Sequence, residues 1–222
     1  MQTFATIGGL EAQPLRVQVP ASGPWYATAG LVSAAALSGS VQVRIGALEL
    51  RGTVRDHGSW ALRGGVLVVG GADGWARDVA ARHYHSDAGV RAQLVASDLA
   101  SEVGEILGDC AAERERVGID YVRARGPAAR VLRLAIGSAS WWVDYEGITH
   151  VGRRVQTEIV GAYEVLSADP RTRTAVVATD DLGRIRVGSV LRERLPEPIV
   201  VRSLDLSVRG GEVRAIVWGG AL

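Results

Sequence analysis

The chain has 222 residues, 47% of them hydrophobic, which is enough to bury a proper core in one larger domain or a few small ones. Its 25 basic and 24 acidic residues leave a formal net charge of +1, so no broad electrostatic field marks out nucleic acid or an anionic membrane as a partner. Cys110 is the single cysteine, which excludes an intrachain disulfide framework and a thiolate metal cluster.

Every basic residue is Arg and none is Lys. An Arg-biased coding sequence accounts for that, and so would planar, bidentate pairing of guanidinium with carboxylates across protein interfaces. The opening stretch "MQTFATIGGLEAQPLRVQV" lacks a basic region followed by an apolar run, which predicts no secretion signal. No apolar stretch approaches the roughly 20 residues needed to span a bilayer. The expectation is a protein made and folded in a cytoplasm.

From Pro14 to Gly71, short runs rich in Val, Ile, Leu and Thr are broken by Gly, Ser and Asp, which predicts strands. In "VQVRIGALELRGTV", Val41, Val43 and Ile45 point one way and Gln42 and Arg44 the other. Leu48, Leu50 and Val54 resume the pattern after Gly46. "RDHGSW" reads as a hairpin turn with Gly58 at positive φ, and Gly64-Gly65 as another turn. Short strands with regular turn signals predict a small barrel or sandwich.

The middle has a different period. "SDAGVRAQLVASDLASEVGEILG" places Val90, Leu94, Val95, Leu99, Val103, Ile106 and Leu107 on one helical face, with Ser86 or Asp87 as the cap and Gly108 at the end. A second helix is predicted over "PAARVLRLAIG", with Pro127 in its first turn and Gly137 after its end. "WWVDYEGITHVGRR" then reads as a hairpin in which Trp141 to Val143 pair with Ile148 to Val151 around "DYEG".

From about Thr157 the chain is β again, with turns at Asp-Pro, Asp-Leu-Gly and Gly210-Gly211. Val43-Arg44-Ile45-Gly46 precedes "LRGGVLVVGG" much as Ile185-Arg186-Val187-Gly188 precedes "VRGGEVRAIVWGG". The match suggests a repeated module, although Arg-Gly-Gly is also a generic turn phrase that two β regions can share by chance. The predicted class is α+β, mainly β, with two small β-barrel modules at 1–80 and 157–222. They bracket an α/β insert at 81–156.

Few residues suggest chemistry. His83 and His85 share a strand face and could begin a metal site, but no acidic or thiol cluster stands near them in the sequence, so packing or surface roles are expected. Ser86 beside His85 and Asp87 lacks the separation that a catalytic triad draws on. "GGADGW" fits neither a dinucleotide fingerprint nor a P-loop and reads as a tight turn. Glu102 and Glu105 read as an exposed helix face, and Glu113 to Arg116 as a solvated segment. No catalytic residue, metal ligand or cofactor is expected.

The tryptophans carry more information. Consecutive strand residues face opposite ways, so Trp141 and Trp142 cannot enter one core. Trp75, Trp141 and Trp142 are therefore candidates for packing between modules or against another subunit.

The series "VRIGALELRGTV", "VVGGADGWARDV", "YHSDAGVRAQLVASDLASEVGE", "YVRARGPAARVLRLA" and "WWVDYEGITHVGRR" resembles phage tail baseplate hub proteins, the family that includes late-control tail proteins and contractile-injection hubs. The resemblance implies a barrel, an α/β region with a "W-x-V-D-x-x-G" hairpin, and a second barrel. It also implies a structural, non-enzymatic virion protein at the tail tip. Such a protein is a homotrimer whose six barrels adapt a sixfold tail tube to a threefold tip, with a distal tail or tail-tube protein above it and a tip, spike or fibre protein below. Two other readings compete with it. One is a monomeric carbohydrate-binding β module using Trp141 or Trp142. The other is a tail-associated glycan hydrolase with carboxylates converging on a groove.

Overall fold

The alternation in "VQVRIGALEL" builds a hairpin in the computed structural model, which describes residues 4–33, 35–60, 63–161, 163–179, 181–209 and 212–220. Strand β4 (Gly39–Ile45) turns through Gly46, at φ 57°, into β5 (Leu48–Trp60). Val43, Ile45, Leu48 and Leu50 are buried, and on the other face Glu49 accepts from Gln42 Nε2 at 2.6 Å and Arg44 Nη2 at 2.5 Å. With β1 (Ala5–Ile7), β2 (Leu10–Val19), β3 (Tyr26–Leu31) and β6 (Arg63–Gly70), these strands pair in the order β1-β4-β5-β6-β3-β2. Because β1 also pairs with β2, the six close into a barrel. Trp25 is fully buried, and its ring is one of the groups that a Cβ on Gly52 would strike.

The C-terminal β segment contains β14 (Thr157–Ile159), β15 (Glu164–Asp169), β16 (Thr174–Ala178), β17 (Ser189–Leu191), β18 (Ile199–Arg209) and β19 (Glu212–Gly220). Their order is β14-β17-β18-β19-β16-β15, the order of the first six strands repeated. Two details differ. The β14–β17 pair is parallel where β1–β4 is antiparallel, and no pairing of β14 with β15 closes the ring among the described residues.

The chain divides into two compact units. The first comprises Met1–Ala21, Trp25–Val69 and Arg154–Leu222, so both β segments lie in it. The three-part division at 80 and 156 separates them, whereas strand pairing between β2 and β18 joins them in one sheet. The second unit comprises Ser22–Pro24 and Gly70–Arg153. It holds β7 (Asp78–Val79), β8 (Arg82–Arg91), helix α1 (Ala92–Val103), β9 (Ile106–Cys110), β10 (Arg116–Arg123), β11 (Gly126–Pro127), helix α2 (Ala128–Ile136), β12 (Ser140–Val143) and β13 (Ile148–Gly152).

Helix α2 and the β12–β13 hairpin match expectation, except that Pro127 caps the helix from outside. Asp144 fixes the turn by accepting the N–H groups of Glu146 and Ile148 at 2.9 and 2.8 Å. Helix α1 is shorter than its sequence pattern predicts. Ser86 and Asp87 lie in β8, which runs to Arg91 because β10 pairs with it, and Gly104 at φ 77° ends the helix before Gly108. Ile106 and Leu107 belong to β9, which pairs in parallel with β13, and Leu94 is exposed. The seven-residue apolar face thus belongs to a strand, a helix and another strand.

Two expected turns are strand interiors. Gly58 lies within β5, and Gly64-Gly65 lie within β6 opposite Leu31 and Gly30. Gly210-Gly211 fall outside the described residues, between strands that place Arg209 opposite Glu212. Val43 to Ile45 sit in β4 but Ile185 to Gly188 precede β17, so the phrases that suggested a repeat do not occupy equivalent positions. The repeat lies in strand order instead.

Candidate assembly site

The two six-stranded modules of the first unit meet along one seam. Leu15, Arg16, Val17, Gln18 and Val19 of β2 face Val208, Ser207, Leu206, Asp205 and Leu204 of β18. Period-2 alternation sends Leu15, Val17, Val19, Leu204, Leu206 and Val208 to the buried face. Full burial of each such side chain stabilises by about 2 kcal/mol.

The other face of the seam carries an ion pair. Arg16 Nε donates to Asp205 Oδ1 at 3.0 Å and Oδ2 at 2.8 Å, and its Nη2 also bonds Oδ2. The hydrogen bonds and negative charge of Asp205 hold the Arg16 guanidinium above its ordinary value. The Asp205 side chain is 5% exposed and that of Arg16 56%, so water solvates one partner and the protein the other. A groove of about 880 Å³ runs over this face, lined by Arg16, Thr28, Asp205, Ser207, Arg209 and Arg214 among others.

Beyond the seam the modules differ in exposure. The inward residues of β2 are buried, whereas β15 follows an exposed pattern with Leu166 at 53%. A strand edge of that kind is open to pairing with another chain. Val155, Val160 and Trp218 are further apolar residues of this unit that reach solvent.

Within the second unit, Trp75 and Trp141 lie in the core, 3% and 1% exposed, with ring centroids 5.3 Å apart. Trp75 Nε1 donates to Thr149 Oγ1 at 2.9 Å. These two candidates therefore pack on each other inside one unit, and Trp141 offers no ring face to a sugar. Trp142 faces the other way, as alternation requires, and stacks on His150 at 5.6 Å.

The "GGADGW" segment is a turn leading into a short 3-10 helix at Gly74–Ala76, wrapped around Glu105. The N–H groups of Ala72 and Gly74 donate to the Glu105 carboxylate at 3.1 and 2.7 Å. Close approach explains the glycines, since a Cβ on Gly74 would collide with Val103 O and one on Gly71 with Glu105 itself. Burial raises the Glu105 carboxyl above its ordinary value, and the backbone donors oppose that only in part. Glu105 is thus a buried anchor, not part of an exposed helix face. Glu102 also has a structural partner. It accepts at 2.5 Å from Arg123, which is 1% exposed and reaches Ala80 O at 3.0 Å.

His83 and His85 are surface residues beside Asp120, at 3.3 and 2.8 Å. The hydrogen bond and charge of Asp120 raise His85, while the hydrogen bond from His85 lowers Asp120. Among the described residues, no group of three or more His, Cys, Asp or Glu is placed to hold a metal ion. Glu113 accepts the Ser138 N–H at 2.7 Å, just past the end of α2, and that bond lowers its carboxyl. No helix among the described residues is long and apolar enough to cross a membrane. Sequence reasoning missed the Arg16–Asp205 pair because its partners stand 189 positions apart with no local signal.

No family model matches the sequence, and no curated protein matches it either. Solved structures do match. A 43 kDa tail protein of prophage MuSo2 from Shewanella oneidensis is 12% identical, with a TM-score of 0.66, covering 98% of this chain and 97% of that one. A tail protein from Neisseria meningitidis is 11% identical at a TM-score of 0.65, covering 98% and 95%. An E. coli component of the type VI secretion system, described as similar to T4 bacteriophage tail proteins gp27 and gp5, is 10% identical at 0.65, covering 98% and 79%. At such identities the likeness is one of fold, and that fold agrees with the resemblance read from the motifs.

Proposed function

We propose that this chain is a structural tail protein, the trimeric hub at the distal end of a phage tail or tail-like particle. The observation that carries the reading is the repeated strand order, two six-stranded modules in one chain joined edge to edge by β2 and β18. Three such chains arranged head to tail would present six similar modules to a sixfold tube while keeping a threefold axis for a tip. On this reading a tail-tube protein binds above and a tip, spike or fibre protein below. Location at the tail tip and the lack of a catalytic role belong to the same proposal. The fold shared with phage tail and type VI secretion proteins supports it. So does the use of the buried carboxylates Glu105 and Asp205 as structural anchors.

The test is solution mass by light scattering across a concentration series, followed by negative-stain class averages. A stable trimer whose ring shows six similar lobes is the expected result. A single-chain mass in the presence of purified tube and tip proteins would remove the hub reading.

A further inference from the structure

The outer face of the seam gathers more arginine than the seam itself uses. Across four neighbouring strands, Thr28 of β3, Arg16 of β2, Ser207 of β18 and Arg214 of β19 stand opposite one another in a single row. Adjacent strands are about 4.8 Å apart, so Arg16 and Arg214 flank Ser207 on its two sides. Arg209 stands two residues beyond Ser207 on the same face of β18, opposite Glu212. Three arginines thus surround one serine hydroxyl.

The carboxylates among them are already engaged. Asp205 accepts from Arg16, and Glu212 lies 3.2 Å from Arg214 Nη2. Arg209 is exposed and pairs with no carboxylate among the described residues. The Arg16 and Arg214 side chains are more than half exposed, and the hydroxyls of Ser207 and Thr28 can donate as well. The row therefore has donors to spare and no spare carboxylate.

The groove over this row lies wholly within the first unit, and its volume of about 880 Å³ is that of a ligand-binding cleft. Its floor is low beside the arginines. Gly30 and Gly65 oppose each other across β3 and β6, and a Cβ on Gly65 meets only Gly58 O, at 3.9 Å. Val176 and Ile216 add apolar lining.

We infer that this groove binds an acidic peptide segment of another protein, with a carboxylate seated over Ser207 between Arg209 and Arg214. Planar guanidinium forks match carboxylate oxygens, and the apolar lining suits the side chains between the acids. Arg16, Arg209 and Arg214 against Asp205 and Glu212 leave a surplus of one positive charge. That surplus fits isolated carboxylates better than a phosphate backbone, which the two lining acids would repel. No aromatic ring lines the groove among the described residues, so a sugar ring has nothing to stack on. The inference stands on the chemistry of the groove and not on the hub reading.

Its test is fluorescence anisotropy of the full chain with a labelled hexapeptide of alternating glutamate and leucine. The same peptide with glutamine for glutamate and a labelled hexathymidylate are the comparison probes. Saturable binding of the acidic peptide is expected, weakening as salt is raised, with the glutamine peptide about tenfold weaker. Arg209→Ala should weaken the acidic peptide by about tenfold and Arg209→Lys by less. Gly65→Leu raises the groove floor where space is open, and should weaken binding several-fold without altering any charge. Both positions are exposed, so each variant should melt as the parent does. No saturable binding up to about 1 mM peptide would overturn the inference, as would parent-like affinity in Arg209→Ala. Equal affinity for the glutamine peptide, or tighter binding of hexathymidylate, would overturn it too. The hub reading fails separately, since it is read from particle mass. Peptide binding by a chain that never trimerises would keep the groove and remove the hub, and a trimer that ignores the peptide would do the reverse.

Discussion

The two β modules share one strand order and differ in what closes them. The first is a complete ring, with β1 paired to both β2 and β4, while the second leaves β14 and β15 unpaired with each other among the described residues. The first also lends β2 to the seam, and there its inward residues are buried. The matching strand of the second, β15, carries Leu166 and Ala168 in contact with water. A duplicated fold in one chain thus has one finished copy and one that retains an open edge, and an open edge is where a neighbouring chain can add.

The sharpest way to break this comparison is to remove a seam side chain. Leu206→Ala, at a position with no exposure, should cost about 3 kcal/mol in denaturant unfolding of the isolated chain. A loss under about 1 kcal/mol would mean that β2–β18 is not part of the stable core. Next in size is Arg16→Ala, which leaves the Asp205 carboxylate without its guanidinium. About 1–2 kcal/mol of destabilisation is expected, reduced from the fully buried case because Arg16 is half exposed. Adding Asp205→Asn to it should recover part of that loss, and a strictly additive double variant would deny the coupling.

The second unit gives a pH-dependent contrast, because its buried carboxyl, Glu105, has backbone donors in place of an Arg partner. Its folded value is raised above the ordinary 4.5, so the stability it contributes is full below that pH and is lost as pH rises through the raised value. Thermal melts should show that component in the parent chain and not in Glu105→Gln. A parent component of the opposite sign would refute the assignment. The smallest effect belongs to the open edge. Leu166→Ala should change the stability of the isolated chain by no more than about 0.5 kcal/mol while weakening self-association.

Local pattern alone determined a good part of this protein. The β–α/β–β composition, the β4–β5 hairpin at Gly46, helix α2 with Gly137 behind it, the Asp144 hairpin and the opposed faces of Trp141 and Trp142 are set by residues close in sequence. Their turn chemistry and periodicity are read over a few positions. Tertiary structure decided the rest. A seven-residue apolar face was divided among β8, α1 and β9 because β10 and β13 offered strand partners, and a helical period cannot report a partner that arrives from elsewhere in the chain. Trp75 and Trp141 became a core pair, and Glu105 a buried anchor, because the turn at Ala72–Gly74 folds back over the end of α1. The module repeat was real in strand order and misplaced in the phrases that suggested it, since pairing order constrains topology and not residue identity. The seam between Arg16 and Asp205 joins residues 189 positions apart, and long-range pairing of that kind leaves no trace in either strand until the two are brought together.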